Sequence, residues 1–223
     1  MAEFVVMPEE SCLPLPKTLS FAQATLAEPL SIALHAVNLA GKLRGRTVAV
    51  LGSGPIGLCV GLVALGEGAA GTYMTDKVPS RIRAAGRETG ARWTGNPLET
   101  DIVLEILEHE PAGLDLVFEC CGKQEALDQA VDLLKPGGTL VLVGIPLEDR
   151  VSFNINRLRR RELRLQNVRR QNRCLGPALE MIAGGRINVD FMATHTFPLE
   201  EAQKAFDTAF HYRDGVIKTL VTP

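Results

Sequence analysis

Three glycines at Gly52, Gly54 and Gly57, in the run Gly-Ser-Gly-Pro-Ile-Gly, have the spacing that lets a backbone hold a pyrophosphate. The first permits a tight turn, the second lets amides approach the ligand, and the third lets the next helix press on the preceding strand. Asp76 stands nineteen residues after Gly57, where a carboxylate would accept hydrogen bonds from an adenosine ribose 2′-hydroxyl. It would repel a 2′-phosphate, so the pattern favours NAD over NADP, although Lys77 and Arg81 bring positive charge close by. The competing reading is a strand-to-helix turn that binds nothing, with Asp76 capping the helix after Val78-Pro79.

Such chemistry needs a strand before the glycine turn, a helix after it and a second strand ending on the acid. Thr47-Val48-Ala49-Val50-Leu51 reads as a buried parallel strand. Residues 56–65 read as an apolar helix whose free amides and dipole face the phosphates, and residues 72–75 as the second strand. Beyond them the pattern predicts a helix over 79–89, a strand at 91–94, a helix over 98–108, a strand at 114–119 and a helix over 124–134. A fifth strand at 139–143 follows, then a sixth around Leu163, Leu165 and Val168, and a helix over 176–183. A strand at 194–197, a helix over 199–210 and a strand at 216–221 close the chain. This alternation predicts an α/β fold with a doubly wound parallel sheet and a ligand beyond the carboxyl ends of its strands.

Residues 1–46 stand outside that alternation. Phe4-Val5-Val6 reads as a strand without a partner in the chain, Ser20 as the cap of a helix, and residues 29–39 as a longer helix stopped by Gly41. The expected division is a partial segment of another domain at 1–40, a nucleotide-binding domain at 41–185, and a return to the first segment at 186–223.

Composition excludes several functions. A formal charge of −2 gives no electrostatic reason to expect nucleic acid or membrane. Residues 47–66 carry no charge over twenty positions, but the central Gly-Ser-Gly-Pro argues against a membrane span. The acidic start, with no basic residue before Lys17, does not resemble a signal peptide, so a cytoplasmic location is expected. Five cysteines without a C-x-x-C give neither a disulfide framework nor a zinc ribbon. Eight arginines between 157 and 173 read as a solvated helix face and a strand end, because no aromatic residues intervene for base stacking, with Arg169 and Arg170 set apart where the sixth strand should end, over the cofactor crevice.

Together, several motifs resemble the medium-chain, zinc-dependent alcohol and polyol dehydrogenases, on the sorbitol and threonine dehydrogenase branch. They are Ala2-Glu3-Phe4-Val5-Val6, Glu28-Pro29-Leu30-Ser31, the glycine turn with Asp76 and Arg81, and Glu119-Cys120-Cys121-Gly122. Pro136-Gly137-Gly138 with Val143-Gly144, Arg169-Arg170-Gln171-Asn172 and Thr194-His195 complete the set. The resemblance implies a Rossmann domain flanked by remnants of a barrel-like catalytic domain. It implies that Glu28 lies at a catalytic zinc, that Gly52, Gly54, Pro55, Ile56 and Gly57 hold pyrophosphate, and that Asp76 holds the ribose. Arg81 would lie near the adenine, Val143, Gly144 and Ile145 would flank the nicotinamide, Cys120 would be a further cofactor-binding residue, and Arg170 would reach toward cofactor and substrate. Cys121 replaces a threonine common in this branch.

The implied reaction is oxidation of a secondary alcohol of a polyol or similar small hydroxy compound, with hydride passing to NAD and zinc polarising the hydroxyl, in a homo-oligomeric enzyme. The cysteine and histidine-glutamate ligands that would complete the zinc site have no counterpart in this sequence, so the chain alone is expected to be inactive. The four histidines, at 35, 109, 195 and 211, do not rebuild that site. Two other readings are a stand-alone nucleotide- or partner-binding module without catalysis, and a zinc-independent NADPH reductase of the same superfamily.

Overall fold

The computed structural model describes residues 1–223. In chain order the elements are α1 (Phe21–Ala40), β1 (Thr47–Leu51), α2 (Pro55–Gly66), β2 (Gly71–Thr75), α3 (Pro79–Glu88) and β3 (Trp93–Gly95). They continue with α4 (Ile102–His109), β4 (Leu114–Glu119), α5 (Gln124–Leu133), β5 (Leu134–Leu142), α6 (Ile155–Arg160) and β6 (Arg164–Asn167). Last come α7 (Leu175–Ala183), β7 (Ala193–Pro198), α8 (Ala202–Phe210) and β8 (Lys218–Thr222). Six strands form one parallel sheet in the order β3-β2-β1-β4-β5-β6, and β7 and β8 form a separate parallel pair. The strand order reverses between β1 and β4, which opens a crevice at the carboxyl ends of the strands.

Alternation along the strands divides the core in two. Val48 and Val50 of β1, with Leu116 and Phe118 of β4, join α1, α2 and α7 in one buried cluster. Ala49 and Leu51, with Val117 and Leu140, face α4 and α5 in the other. Successive side chains point to opposite faces, so a strand covered on both sides must be apolar throughout.

The N-terminal segment differs from the sequence reading. Phe4, Val5 and Val6 form no strand and are exposed, because a strand needs an edge to pair with and none reaches them. The two helices expected between Ser20 and Leu39 are one, and Pro29 lies buried inside it. A proline in a helix interior costs about 3 kcal/mol. The apolar stripe of Leu26, Leu30, Ala33, Leu34 and Val37 runs past it and is buried, and each leucine gains roughly 1.5–3 kcal/mol on burial. Ser20 and Gln23 close the start of α1 with a reciprocal capping box, 3.2 and 3.0 Å.

Other boundaries shift for local reasons. α4 begins at Ile102, not 98, because the Asp101 carboxylate accepts the amides of Val103 and Leu104. β3 lies at Trp93–Gly95, in register with Tyr73–Thr75, instead of at 91–94. β5 starts early, at Leu134, and a bulge between its pairings with Leu114 and Leu116 absorbs Lys135–Gly138. The arginine run is partly structural: Arg157 pairs with Asp132, and Arg161 donates to the carbonyls of Val131, Asp132 and Leu134 at the end of α5.

At the opposite end of the sheet from the crevice, Asp115 ties three strands together. It accepts from the Thr47 amide at 3.0 Å and pairs with Lys135 at 2.6 Å. Burial alone would raise its pKa, but the Lys135 ammonium and the Thr47 donors outweigh it and hold the carboxyl below its usual value. A depressed folded pKa gives stability that is fully present above about pH 4 and lost as pH falls through the folded value. Asp115→Asn is expected to lower the unfolding free energy in urea titrations by roughly 1 kcal/mol at pH 7, allowing for the partial exposure of the pair. The gap from wild type should close as pH falls through the depressed folded pKa, and a gap independent of pH would contradict this assignment.

Candidate functional site

The crevice begins where β1 gives way to α2. Gly52 takes φ +99°, a conformation that side chains rarely adopt, and a Cβ there would lie 3.1–3.2 Å from Cys120 and Cys121. A Cβ at Gly57 would collide with the Gly52 carbonyl, so only glycine lets α2 approach β1 this closely. Gly54 differs: a Cβ there would meet only the Arg81 guanidinium, at 3.5 Å. The protein itself does not demand glycine at 54, and what its absent side chain keeps open is the approach to the helix start. No side chain caps α2, Pro55 has no N–H, and the first ladder bond runs from Leu58 to Gly54. The amides of Ile56 and Gly57 therefore precede the ladder and face the crevice, where an anion would meet them.

Asp76 follows β2. Its carboxylate accepts from the Ser53 and Val78 amides, both at 2.8 Å, and lies 3.9 Å from Arg81. Asp76 thus anchors the residue before α3, although no side chain caps that helix. An ionised carboxylate has about four acceptor positions, so two stay available for a ribose diol. The Arg81 guanidinium lies 4.7 Å from the ring centre of Tyr212.

Two adjoining cavities occupy the crevice, of about 430 and 380 Å³. The smaller has the glycine turn, Gly52, Gly54, Pro55, Ile56 and Gly57, as its floor. Asp76 and Arg81 form one wall, and Cys120 with Val143, Gly144 and Ile145 the other. Eleven of the sequence-nominated residues therefore meet in one place. The larger cavity shares Gly52, Asp76 and Arg81 and extends past Leu98 and Gln129. Tyr212 and Cys121 line both. Tyr212 escaped the sequence reading because it is 131 positions from Arg81 in the chain, carried in by a left-handed turn after α8 (φ 52°).

Two nominated residues lie elsewhere. Arg170 sits exposed in a left-handed turn after β6 (φ 50°) and lines neither cavity. Glu28 is exposed on α1, and nowhere do three or more His, Cys, Asp or Glu side chains gather as metal ligands would. A catalytic zinc needs three protein ligands and an open position, so the residues of this chain do not fit that metal. The crevice, by contrast, fits a dinucleotide: free helix amides beside Gly54, a fixed carboxylate and two joined cavities. No helix is long and apolar enough to cross a membrane.

The strand order and the glycine turn at its switch point define a Rossmann-type nucleotide-binding domain. The family model described as "Zinc-binding dehydrogenase" matches residues 55–184, and the chain belongs to this family, that of the zinc-dependent medium-chain alcohol and polyol dehydrogenases. It is 35% identical over 200 residues to the sorbitol dehydrogenase of Gallus gallus, covering 88% of this chain and 56% of that one. It is 32% identical over 233 residues to sorbitol dehydrogenase 1 of Saccharomyces cerevisiae, covering 99% and 64%. Among solved structures, the 2R,3R-butanediol dehydrogenase of Bacillus subtilis superposes with a TM-score of 0.85 at 30% identity, covering 94% of this chain and 60% of that one. A Sinorhizobium meliloti 1021 protein described as a zinc-binding dehydrogenase, and bound to NADP, gives 0.87 at 32% identity, covering 94% and 61%. The chain spans 56–64% of the length of the curated relatives it matches.

Both cysteines at the crevice have raised pKa values. Burial pushes the Cys120 thiol well up, the adjacent Glu119 charge adding to it. Cys121 is exposed at its surface, yet the desolvation of its sulfur and then Glu119 raise its thiol too, and its Sγ lies 3.5 Å from the Leu51 carbonyl. Burial likewise raises Cys59. A raised pKa leaves little thiolate at pH 8. Cys12 and Cys121 are both exposed, but with the Cys121 thiol held up, titration with a disulfide reagent at that pH should find one fast thiol, Cys12, abolished by Cys12→Ser. A second fast thiol that disappears in Cys121→Ser would contradict this.

Proposed function

We propose that the crevice binds NAD and that this chain is the dinucleotide-binding part of a dehydrogenase oxidising a secondary alcohol of a polyol or similar small hydroxy compound. The observation that carries the reading is Gly54, a glycine that the protein's own packing does not require, at the mouth of an uncapped helix inside the crevice. When bound, NAD supplies the hydride acceptor. The residues of this chain bind and orient it: the amides of Ile56 and Gly57 face the pyrophosphate, and Asp76 accepts from the adenosine ribose. Arg81 and Tyr212 close over that ribose, while Val143, Gly144 and Ile145 wall the nicotinamide half. The alcohol substrate and the zinc belong to the proposal through the family relatives, and a homo-oligomer belongs to it through the family resemblance alone. In the same reading residues 1–40 and 186–223 are portions of the catalytic domain and 41–185 the nucleotide domain.

The binding-module alternative draws on one observation, the lack of any metal-ligand cluster on this chain. The relative bound to NADP sharpens the question of cofactor choice. Asp76, fixed by two backbone amides, cannot turn away from a 2′-phosphate, and that supports NAD. Calorimetric titration of the chain should show NADH binding about tenfold tighter than NADPH, equivalent to roughly 1.4 kcal/mol. Asp76→Ala should weaken NADH and shrink the preference to within about threefold. Tighter binding of NADPH by the wild-type chain would overturn the choice of NAD, and binding of neither would overturn the function.

A further inference from the structure

We propose that Glu119 is the positioning residue of the nicotinamide half of the crevice, its buried carboxylate holding the turn after β4 in the shape against which the turn after β5 packs. The inference rests on the dinucleotide reading above.

Glu119 ends β4 with only 1% of its surface exposed. One carboxylate oxygen accepts the amides of both Cys121 and Gly122, each at 2.7 Å. Its backbone carbonyl accepts the amides of Val143 and Gly144, at 2.9 and 2.8 Å. The second carboxylate oxygen lies 2.5 Å from where a Cβ on residue 144 would stand. Gly122, at φ +65°, fits as closely from the other side, since a Cβ there would lie 2.5 Å from the Ile145 carbonyl oxygen. The turn after β4 and the turn after β5 therefore interlock around one side chain. Val143, Gly144 and Ile145 line the smaller cavity and not the larger, so this joint serves the half away from the Leu98 side.

A buried charge is costly to keep, and no lysine, arginine or histidine lies within 4.0 Å of this one. Only amide donors balance it. The neighbouring strands reach the same level with Leu51 and Leu142, so the sheet itself has no need of a carboxylate there. Charge-assisted hydrogen bonds are shorter and stronger than neutral ones, and here they fix the turn at Cys121 and Gly122, on which the turn at Gly144 and Ile145 is closely packed.

The test compares NADH with ADP-ribose, which lacks the nicotinamide, on the full 223-residue chain. Glu119→Gln keeps the volume and removes the charge. It should weaken NADH roughly fivefold or more, diminish the shift in bound NADH fluorescence, and leave ADP-ribose within about twofold. Gly144→Ala, which retains the carboxylate but forces the joint apart, should show the same selective loss and serves if the first variant folds poorly. An equal loss for both ligands in these variants would mean a merely structural residue and would overturn the inference, as would no change for either. A wild-type chain that binds neither ligand would instead overturn the function on which the inference rests.

Discussion

The close approach of α2 to β1 governs the rest of this structure. With no side chain at Gly57, the helix seats against the Gly52 carbonyl, and its first amides arrive at the sheet's carboxyl edge with no partner of their own. A methyl group at 57 would lift the helix off the strand and displace the donors from the crevice. The shared contact also buries α2, which lets Leu58, Cys59, Val60 and Val63 enter the larger core with α1 and α7. Stability and ligand geometry therefore depend on the same absent atom.

Around that contact, carboxylates do the local positioning by accepting backbone amides. Asp76 fixes the turn after β1 to the start of α3, and the Glu119 carboxylate fixes the turn after β4, while its backbone carbonyl accepts from the turn after β5. Asp115 does the corresponding work at the other end of the sheet. Acceptors of this kind are strong because they are charged, and specific because amide directions are set by the backbone. The crevice is thus defined by main chain held in place more than by side chains reaching into it, which suits a ligand whose central part is a pyrophosphate.

The sequence made the sheet and the glycine turn legible because their signals are local: a buried strand must be apolar on both faces, and the turn is six consecutive residues. Asp76 was legible because its distance from Gly57 is set by one helix and one strand. Tyr212 was not, since no local pattern links it to Arg81. Glu119 was visible as part of a motif, but its joining role depends on amides from another strand. The misread strand at Phe4, Val5 and Val6 shows propensity without a partner edge. Pro29 shows the converse, a local breaker overruled by an apolar stripe that continues on both sides. Arg170 was placed by family resemblance, and the left-handed turn that holds it leaves it exposed outside both cavities.

Amide hydrogen exchange of the chain with and without NADH tests most directly whether one crevice at the strand ends holds the dinucleotide. The structure predicts new protection confined to five segments, at residues 52–57, 119–122 and 143–145 and around Asp76 and Tyr212. Protection centred on β7 and β8, or on the exposed residues before α1, with these stretches unchanged, would contradict the account.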